Sequence, residues 1–254
     1  MSAQAEDVVQ ALQSPNTVLL AALLAAVLLV LALLKVWLGG PRGNTVLIVG
    51  PCDAGKTTLF HQLREGSTLN GTVASMQENV DEFVLSTEKG GAARPVRVVD
   101  IPGHPRVRGK LESYLEKGAK GVVFVVDSVD FMPKKTETAE QLYDLLSHPA
   151  VAKRRLPVLL ACNKADQGTK AHTVDFVRKR LEKEIDQMRS TRGALSDVSG
   201  SSGQQVQLGV AGEPFSFEAH ARARGVRVST ASVSAVDTGG VAEVAAFIRR
   251  CVPA

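Results

Sequence analysis

Gly50-Pro51-Cys52-Asp53-Ala54-Gly55-Lys56-Thr57 satisfies the pattern G-x-x-x-x-G-K-[ST], and its flanks decide how it is to be read. Thr45-Val46-Leu47-Ile48-Val49 before it reads as a buried strand, and Thr58-Leu59-Phe60-His61-Gln62-Leu63 after it can continue as a helix. A loop between a strand end and a helix start points several backbone N–H groups at one spot. The helix dipole favours negative charge there, so the arrangement suits a polyphosphate. In such a loop Lys56 reaches the β- and γ-phosphates and the Thr57 hydroxyl ligates Mg²⁺, while Gly50 through Thr58 form the cradle.

A second pattern decides the base. Asn163-Lys164-Ala165-Asp166 fits N-K-x-D and directly follows the apolar run Val158-Leu159-Leu160-Ala161-Cys162, about a hundred residues after the phosphate loop. The Asp166 carboxylate can accept two hydrogen bonds from the N1–H and N2–H₂ edge of guanine, and adenine offers neither donor there. The expected ligand is therefore GTP or GDP with Mg²⁺. Between these patterns, Val96-Arg97-Val98-Val99 runs into Asp100-Ile101-Pro102-Gly103, which fits D-x-x-G. Asp100 would hold Mg²⁺ through water, and the Gly103 N–H can approach a γ-phosphate because no side chain blocks it. Phosphate loop, D-x-x-G and N-K-x-D in this order resemble the Ras-like small GTPases over residues 44–254. The resemblance implies an α/β fold.

Further along the chain, Val80 to Ser86 alternates as a strand does, and Gly121-Val122-Val123-Phe124-Val125-Val126-Asp127 suits a strand buried on both faces. Val174, Val177, Leu181, Ile185 and Met188 recur at helical spacing, which predicts an amphipathic helix over 173–189. Strands alternating with helices after a phosphate loop predict a doubly wound, mostly parallel sheet with the ligand at the carboxyl ends of its strands. From Ser190 to about residue 212 the chain turns to Ser, Gly, Gln and Thr, which predicts a flexible insertion. Phe215-Ser216-Phe217 and Val226-Arg227-Val228 read as strand material, and Val241 to Cys251 as a closing helix.

The N-terminal part carries a different signal. Val18 to Leu34 is uncharged and almost wholly Leu, Ala and Val, and Trp37-Leu38 extends it past Lys35. At roughly 20 residues it can span a hydrocarbon core of about 30 Å. Glu6 and Asp7 precede it where a signal peptide would want basic residues, so residues 18–38 are expected to be a retained transmembrane helix. Lys35 and Arg42 stand on its C-terminal side, which predicts a short luminal segment at 1–17, a breaker-rich linker at 39–44 and a cytosolic domain over 45–254. Three cysteines are too few and too odd for a disulfide framework. A formal net charge of +4 is too small to argue for direct nucleic-acid binding, and a basic domain beside an anionic leaflet is sufficient explanation. Cys251-Val252-Pro253-Ala254 formally matches C-a-a-X, but proline at an aliphatic position is awkward for a prenyl signal.

An anchored Ras-like domain with these strings resembles the β subunits of the signal recognition particle receptor. The supporting residues are Cys52-Asp53, Asp100-Ile101-Pro102-Gly103-His104, Val123-Phe124-Val125-Val126-Asp127-Ser128, Ala161-Cys162-Asn163-Lys164 and Asp237-Thr238-Gly239. The resemblance implies a subunit that holds the receptor's α subunit at the endoplasmic reticulum membrane in the GTP state. Signal recognition particle, ribosome and translocon would then be indirect partners. Resemblance to small GTPases places Ser229-Thr230-Ala231-Ser232 at the base loop, where the Ala231 N–H would bond the guanine O6. It also sets His104 where Ras-like enzymes carry a water-orienting Gln, and Cys52 where many have Gly, which together imply slow unaided hydrolysis. For the Mg²⁺-ligating hydroxyl ahead of the second strand, Thr68, Thr72 and Ser75 are all available. Alignment of Thr72-Val73-Ala74-Ser75-Met76 with the T-x-x-T-I pattern of Arf-like proteins favours Ser75. Two other functions stay open: a membrane-tethered Arf- or Sar-like switch that recruits a coat, and a permanently loaded scaffold. The apolar span speaks against the first, because such proteins attach reversibly through a helix with a polar face.

Overall fold

Alternation within a single strand sets the architecture. In β1 (Thr45–Val49), Val46 and Ile48 enter one buried layer while Leu47 and Val49 enter another. Only a strand inside a sheet covered on both faces behaves this way. The remaining strands are β2 (Asn79–Phe83), β3 (Val96–Asp100), β4 (Gly121–Asp127), β5 (Val158–Asn163) and β6 (Val228–Ser232). They form one six-stranded sheet in the order β2-β3-β1-β4-β5-β6, parallel except for the antiparallel edge strand β2. The mostly parallel, doubly wound sheet expected from the sequence is present. This computed structural model describes residues 23–24, 27–30, 44–67, 77–88, 93–103, 108–199 and 206–253.

Seven helices cover the two faces among the described residues of the domain: α1 (Lys56–Glu65), α2 (Arg108–Lys117), α3 (Phe131–Ser147), α4 (Pro149–Arg154), α5 (Val174–Ser199), α6 (Phe217–Arg224) and α7 (Ala242–Cys251). Leu59, Phe60 and Leu63 of α1 pack with Val244, Phe247 and Ile248 of α7 against Val123 and Val125 of β4. On the opposite face Leu142 and Leu146 of α3, and Val177, Leu181 and Ile185 of α5, meet Val122, Phe124 and Val126. Fully burying each such side chain is worth about 1.5–3 kcal/mol, so the two layers, not helix propensity, hold the helices in place. The pairs Ile48↔Asp100, Val49↔Phe124 and Asp127↔Asn163 align the carboxyl ends of β1, β3, β4 and β5 along one sheet edge. Ligands of open α/β sheets bind at that edge.

Several boundaries differ from the sequence reading. The strand expected at 80–86 occupies Asn79–Phe83, and Ser86–Glu88 is a 3₁₀ turn. The helix expected at 173–189 continues to Ser199, into the stretch read as an insertion. Residues 200–205 lie outside the described ones, and the chain from Val206 onward is back on the domain: the Val206 N–H donates to Ser147 O at 2.9 Å and Leu208 is fully buried. One face of α5 straps this return. Arg189 Nη1 donates to the carbonyls of Val210 (3.0 Å) and Leu208 (3.3 Å), and its Nη2 also donates to Glu213 O. Asp186 accepts from the Phe215 N–H and Glu182 from the Phe217 N–H, each at 2.9 Å.

Phe215-Ser216-Phe217 is not a strand. Ser216 caps α6, its hydroxyl accepting from the Ala219 N–H at 3.1 Å, and Gly225 closes the helix in the left-handed region. A good cap outweighs a three-residue alternation. Cys251 ends α7 with its side chain against the α1–α7 layer, where burial pushes its thiol up to about 11. A lipidated Cys251 would have to leave that packing.

Most of the expected transmembrane helix, the linker before Asn44 and the segment 1–17 lie outside the described residues. Leu23, Leu24 and Val27–Val30 are helical and exposed. Among the described residues no helix is long and apolar enough to cross a membrane. Met1–Arg42 forms a unit separate from Gly43–Ala254.

Buried His220 joins α6 to the returning segment, because its Nδ1 accepts the Gly209 N–H at 3.2 Å. Burial, helped by nearby Arg224, pushes its pKa from 6.5 down to about 4. The unfolded chain therefore takes up a proton that the folded one refuses. The stability this neutral imidazole confers is complete above pH 6.5 and is lost as pH falls towards about 4. Urea titrations of the domain should show a loss of about 2 kcal/mol from this group between pH 7 and pH 5, and His220→Gln should flatten that slope.

Candidate nucleotide-binding site

Gly55 precedes α1 with φ +85°, and a Cβ there would stand 2.3 Å from Asn163 Nδ2. Glycine is required on both counts. The loop so formed leaves the first N–H groups of α1 facing one concave spot. Lys56, only 6% exposed, donates from Nζ to Pro51 O at 2.7 Å and so bridges the loop it follows. Burial pushes its ammonium below the usual lysine value, and the nearby Asp100 carboxylate offsets only part of that. A buried cation at a helix N-terminus gains most from an anionic ligand.

Next to it, Thr57 Oγ1 donates to Asp100 Oδ2 at 2.7 Å. Asp100 is fully buried, and its Oδ1 has no hydrogen-bond partner. A threonine hydroxyl and a buried carboxylate oxygen without a hydrogen-bond partner are the kind of donors that Mg²⁺ uses when phosphates and waters complete its shell, so the residues fit the ion. Among the described residues no cluster of three His, Cys, Asp or Glu exists, and this kind of site needs none. The D-x-x-G loop lies directly on the phosphate loop. A Cβ on Gly103 would come within 2.6 Å of Gly50 O and 2.7 Å of Cys52 N.

At the other end, the buried Asn163 side chain holds three segments together. Its Nδ2 donates to Ala54 O at 2.9 Å and its Oδ1 accepts from the Ala235 N–H at 2.9 Å. Lys164 has φ +68°, unusual for a residue with a side chain, and its Nζ pairs with Asp127 at 2.6 Å. Burial alone would raise the Asp127 carboxyl, but Lys164 and the N–H groups of Asp130 and Val129 overcome it and hold the pKa below the ordinary value. Asp166 is exposed, and its Oδ1 accepts from Ser234 Oγ at 2.8 Å. Gly55, Thr58, Lys164, Asp166 and Ala235 line a cavity of about 400 Å³. A larger one of about 510 Å³ lies between α2 and α3 behind Gly103, with Leu111, Leu115, Phe124 and Leu145 in its walls and acidic groups at Glu112, Glu116 and Asp144. That lining repels phosphate, so the smaller cavity is the candidate site.

The structure thus gathers Gly50 through Thr58, Asp100, Gly103, Asn163, Lys164 and Asp166 at one sheet edge. It does not bring Ala231 there. Ala231 lies inside β6, buried opposite Ala161, and the residue at the cavity is Ala235. The sequence holds two Ala-containing candidates four residues apart, and only the end of β6 at Ser232 tells strand from loop. Thr72, Val73, Ala74, Ser75 and His104 lie outside the described residues. Sequence reasoning missed Asp127, Ser234 and Ala235 as site residues. For Asp127 the signal was one acidic residue ending an apolar run; for Ser234-Ala235 it was the S-A pair itself.

Fold and site together define an α/β domain of the Ras-like GTPase class. A family model described as signal recognition particle receptor beta subunit matches residues 41–223. Signal recognition particle receptor subunit beta of Mus musculus is 34% identical over 207 residues, which is 81% of this chain and 75% of the mouse protein. Among solved structures, the mammalian SRP receptor superposes with a TM-score of 0.65 at 29% identity, covering 82% of this chain and 99% of that one. SRb-GDP from Chaetomium thermophilum gives 0.62 at 26% identity, covering 84% and 100%. The chain belongs to the signal recognition particle receptor beta subunit family.

Asn163 makes a stability test possible without ligand. Asn163→Ala should strip partners from two buried backbone groups and lower unfolding stability by roughly 2–5 kcal/mol in nucleotide-free protein. A loss below 1 kcal/mol by urea denaturation would show that Ala54 O and the Ala235 N–H find other partners.

Proposed function

We propose that this chain is a guanine-nucleotide-gated membrane anchor: it binds GTP and GDP with Mg²⁺ and, in the GTP state, holds the receptor's α subunit at the endoplasmic reticulum. The observation that carries this reading is the convergence of Lys56, the Thr57–Asp100 pair and the Asn163–Asp166–Ala235 cluster on one sheet edge. Family membership and a relative solved as SRb-GDP support it.

Each group has a task. Backbone N–H groups of residues 53–58 and the Lys56 ammonium take the β- and γ-phosphates. Thr57 Oγ1 and, through water, Asp100 hold Mg²⁺, which when bound neutralises charge on the phosphate oxygens. Asp166 accepts from guanine N1–H and N2–H₂, and Ala235 lines the same cavity. Its N–H donates to Asn163 Oδ1, which holds the loop after β6 in place. Gly103 leans on the phosphate loop, so a γ-phosphate changes what the D-x-x-G loop touches, and α2 begins five residues later. Thr72–Ser75 would supply the second loop that reads the γ-phosphate, and His104 would orient water for a slow hydrolysis. Residues 18–38 would supply the membrane span. The coat-recruiting alternative has no observation in its favour.

Asp166→Asn places a donor against guanine's own donors. It should shift preference from GTP towards xanthosine triphosphate, whose C2 oxygen can accept that bond, whereas Lys56→Ala should weaken both equally. Competition binding against a fluorescent nucleotide checks this; unchanged GTP affinity in Asp166→Asn removes the base assignment.

Gating is tested by capture. Full-length protein in detergent should retain the α subunit's N-terminal domain with GTP or a non-hydrolysable analogue and only weakly with GDP, and Thr57→Asn should abolish retention. Equal capture with GTP, GDP and no nucleotide would replace the gate with a permanent scaffold.

A further inference from the structure

The carboxylate of Asp100 has a second tether that neither the D-x-x-G pattern nor the phosphate loop accounts for. Asn79, the first residue of β2, donates from Nδ2 to Asp100 Oδ2 at 3.0 Å. The antiparallel register puts the two residues directly opposite one another at the end of the β2–β3 ladder. Oδ2 therefore accepts two bonds, from Asn79 and from Thr57 Oγ1, while the buried Oδ1 of the same carboxylate accepts none. A carboxylate held by one bond can rotate about its Cβ–Cγ axis; one held by two donors, Thr57 from α1 and Asn79 from β2, cannot. We infer that Asn79 is a positioning residue for the divalent cation, locking the Asp100 carboxylate so that Oδ1 is presented to the metal's water shell while Oδ2 stays with Thr57. This rests on the nucleotide–Mg²⁺ reading of the site.

The chemistry of the donors supports the division of labour. Thr57 donates its O–H to Oδ2, and a hydroxyl oxygen is the kind of acceptor that a divalent cation takes as ligand. The Asn79 Nδ2 group carries only N–H donors and cannot ligate a cation, so the effect of this contact passes through Asp100. Its neighbour Glu78 forms an ion pair with Lys110 of α2 at 2.8 Å. The chain entering β2 is thus stitched at two successive residues to the segment that leaves β3: Asn79 to Asp100 and Glu78 to the helix after Gly103. Only the first of these touches a residue of the metal site. The Glu78–Lys110 pair is partly exposed, worth at most about 1 kcal/mol, and serves as the control.

The experiment measures release of a fluorescent GDP from the purified protein as free Mg²⁺ is varied. Wild type should release nucleotide fast in EDTA and progressively more slowly as Mg²⁺ rises. In Asn79→Leu and Asn79→Ala the Mg²⁺ concentration giving half of the full slowing should rise about five- to tenfold, with the release rate in EDTA unchanged, because phosphate loop and base contacts are untouched. Lys110→Ala should leave both quantities as in wild type. An unchanged Mg²⁺ half-point in both Asn79 variants would overturn the inference. So would faster release in EDTA together with a lowered melting temperature, since that marks a general packing role. If wild type itself failed to retain GDP at any Mg²⁺ concentration, the nucleotide reading would fall first.

Discussion

The amide of Asn163 is the constraint from which the rest of the site follows. It is buried at the carboxyl end of β5, and with one donor and one acceptor it spans from the loop after β1, at Ala54 O, to the loop after β6, at the Ala235 N–H. Three strands that are far apart in sequence are thereby brought to a common edge with their loops in fixed relation. Leaving either backbone group unsatisfied would cost about 1–3 kcal/mol, so the geometry is enforced and not merely permitted. The same side chain explains why residue 55 has no Cβ. It also places Lys164 beside Asp127, whose strand pairs with Asn163 in register.

Around that staple the sheet divides the work. The two hydrophobic layers bury β1 and β4 on both faces and leave no room for polar groups within the strands. Polar chemistry is pushed to the strand ends, where Asp100, Asp127 and Asn163 each terminate a run of apolar residues. Each is buried and each is answered by a partner from another loop: Thr57 and Asn79, Lys164, and Ala54 with Ala235. The exception is one oxygen of Asp100, and an unanswered buried carboxylate oxygen beside a buried lysine is where a cation and a polyphosphate can be received together. The D-x-x-G loop rests on the phosphate loop at Gly103, so the two loops meet at that point.

Legibility in the sequence varied with how local the cause was. The phosphate loop, D-x-x-G and N-K-x-D were readable because each depends on chemistry within a few residues; their order gave the resemblance to Ras-like GTPases, and the apolar span with several local strings gave the family. The strand at 121–127 was readable because a run buried on both faces has no polar residue to confuse it. Elsewhere a distant partner decided. Residues 206–217 lack a clear hydrophobic pattern, yet they are held by Glu182, Asp186 and Arg189 from a helix 19 to 35 residues earlier. Ala235 and not Ala231 lines the cavity because β6 runs on to Ser232, paired with Cys162, a matter of register that the string S-T-A-S does not carry.

By itself, then, the sequence determined the three motifs that mark the class of domain and the alternation of strands and helices, since both arise from near neighbours in the chain and from periods of two and 3.6 residues. The tertiary structure alone decided which oxygen of Asp100 is left open, which alanine lines the cavity and what straps the segment after the long helix. Each of those depends on side chains separated by about twenty to seventy residues meeting across the sheet edge or along α5. Hydrogen bonds at such range are set by strand register and helix packing, which no local pattern encodes.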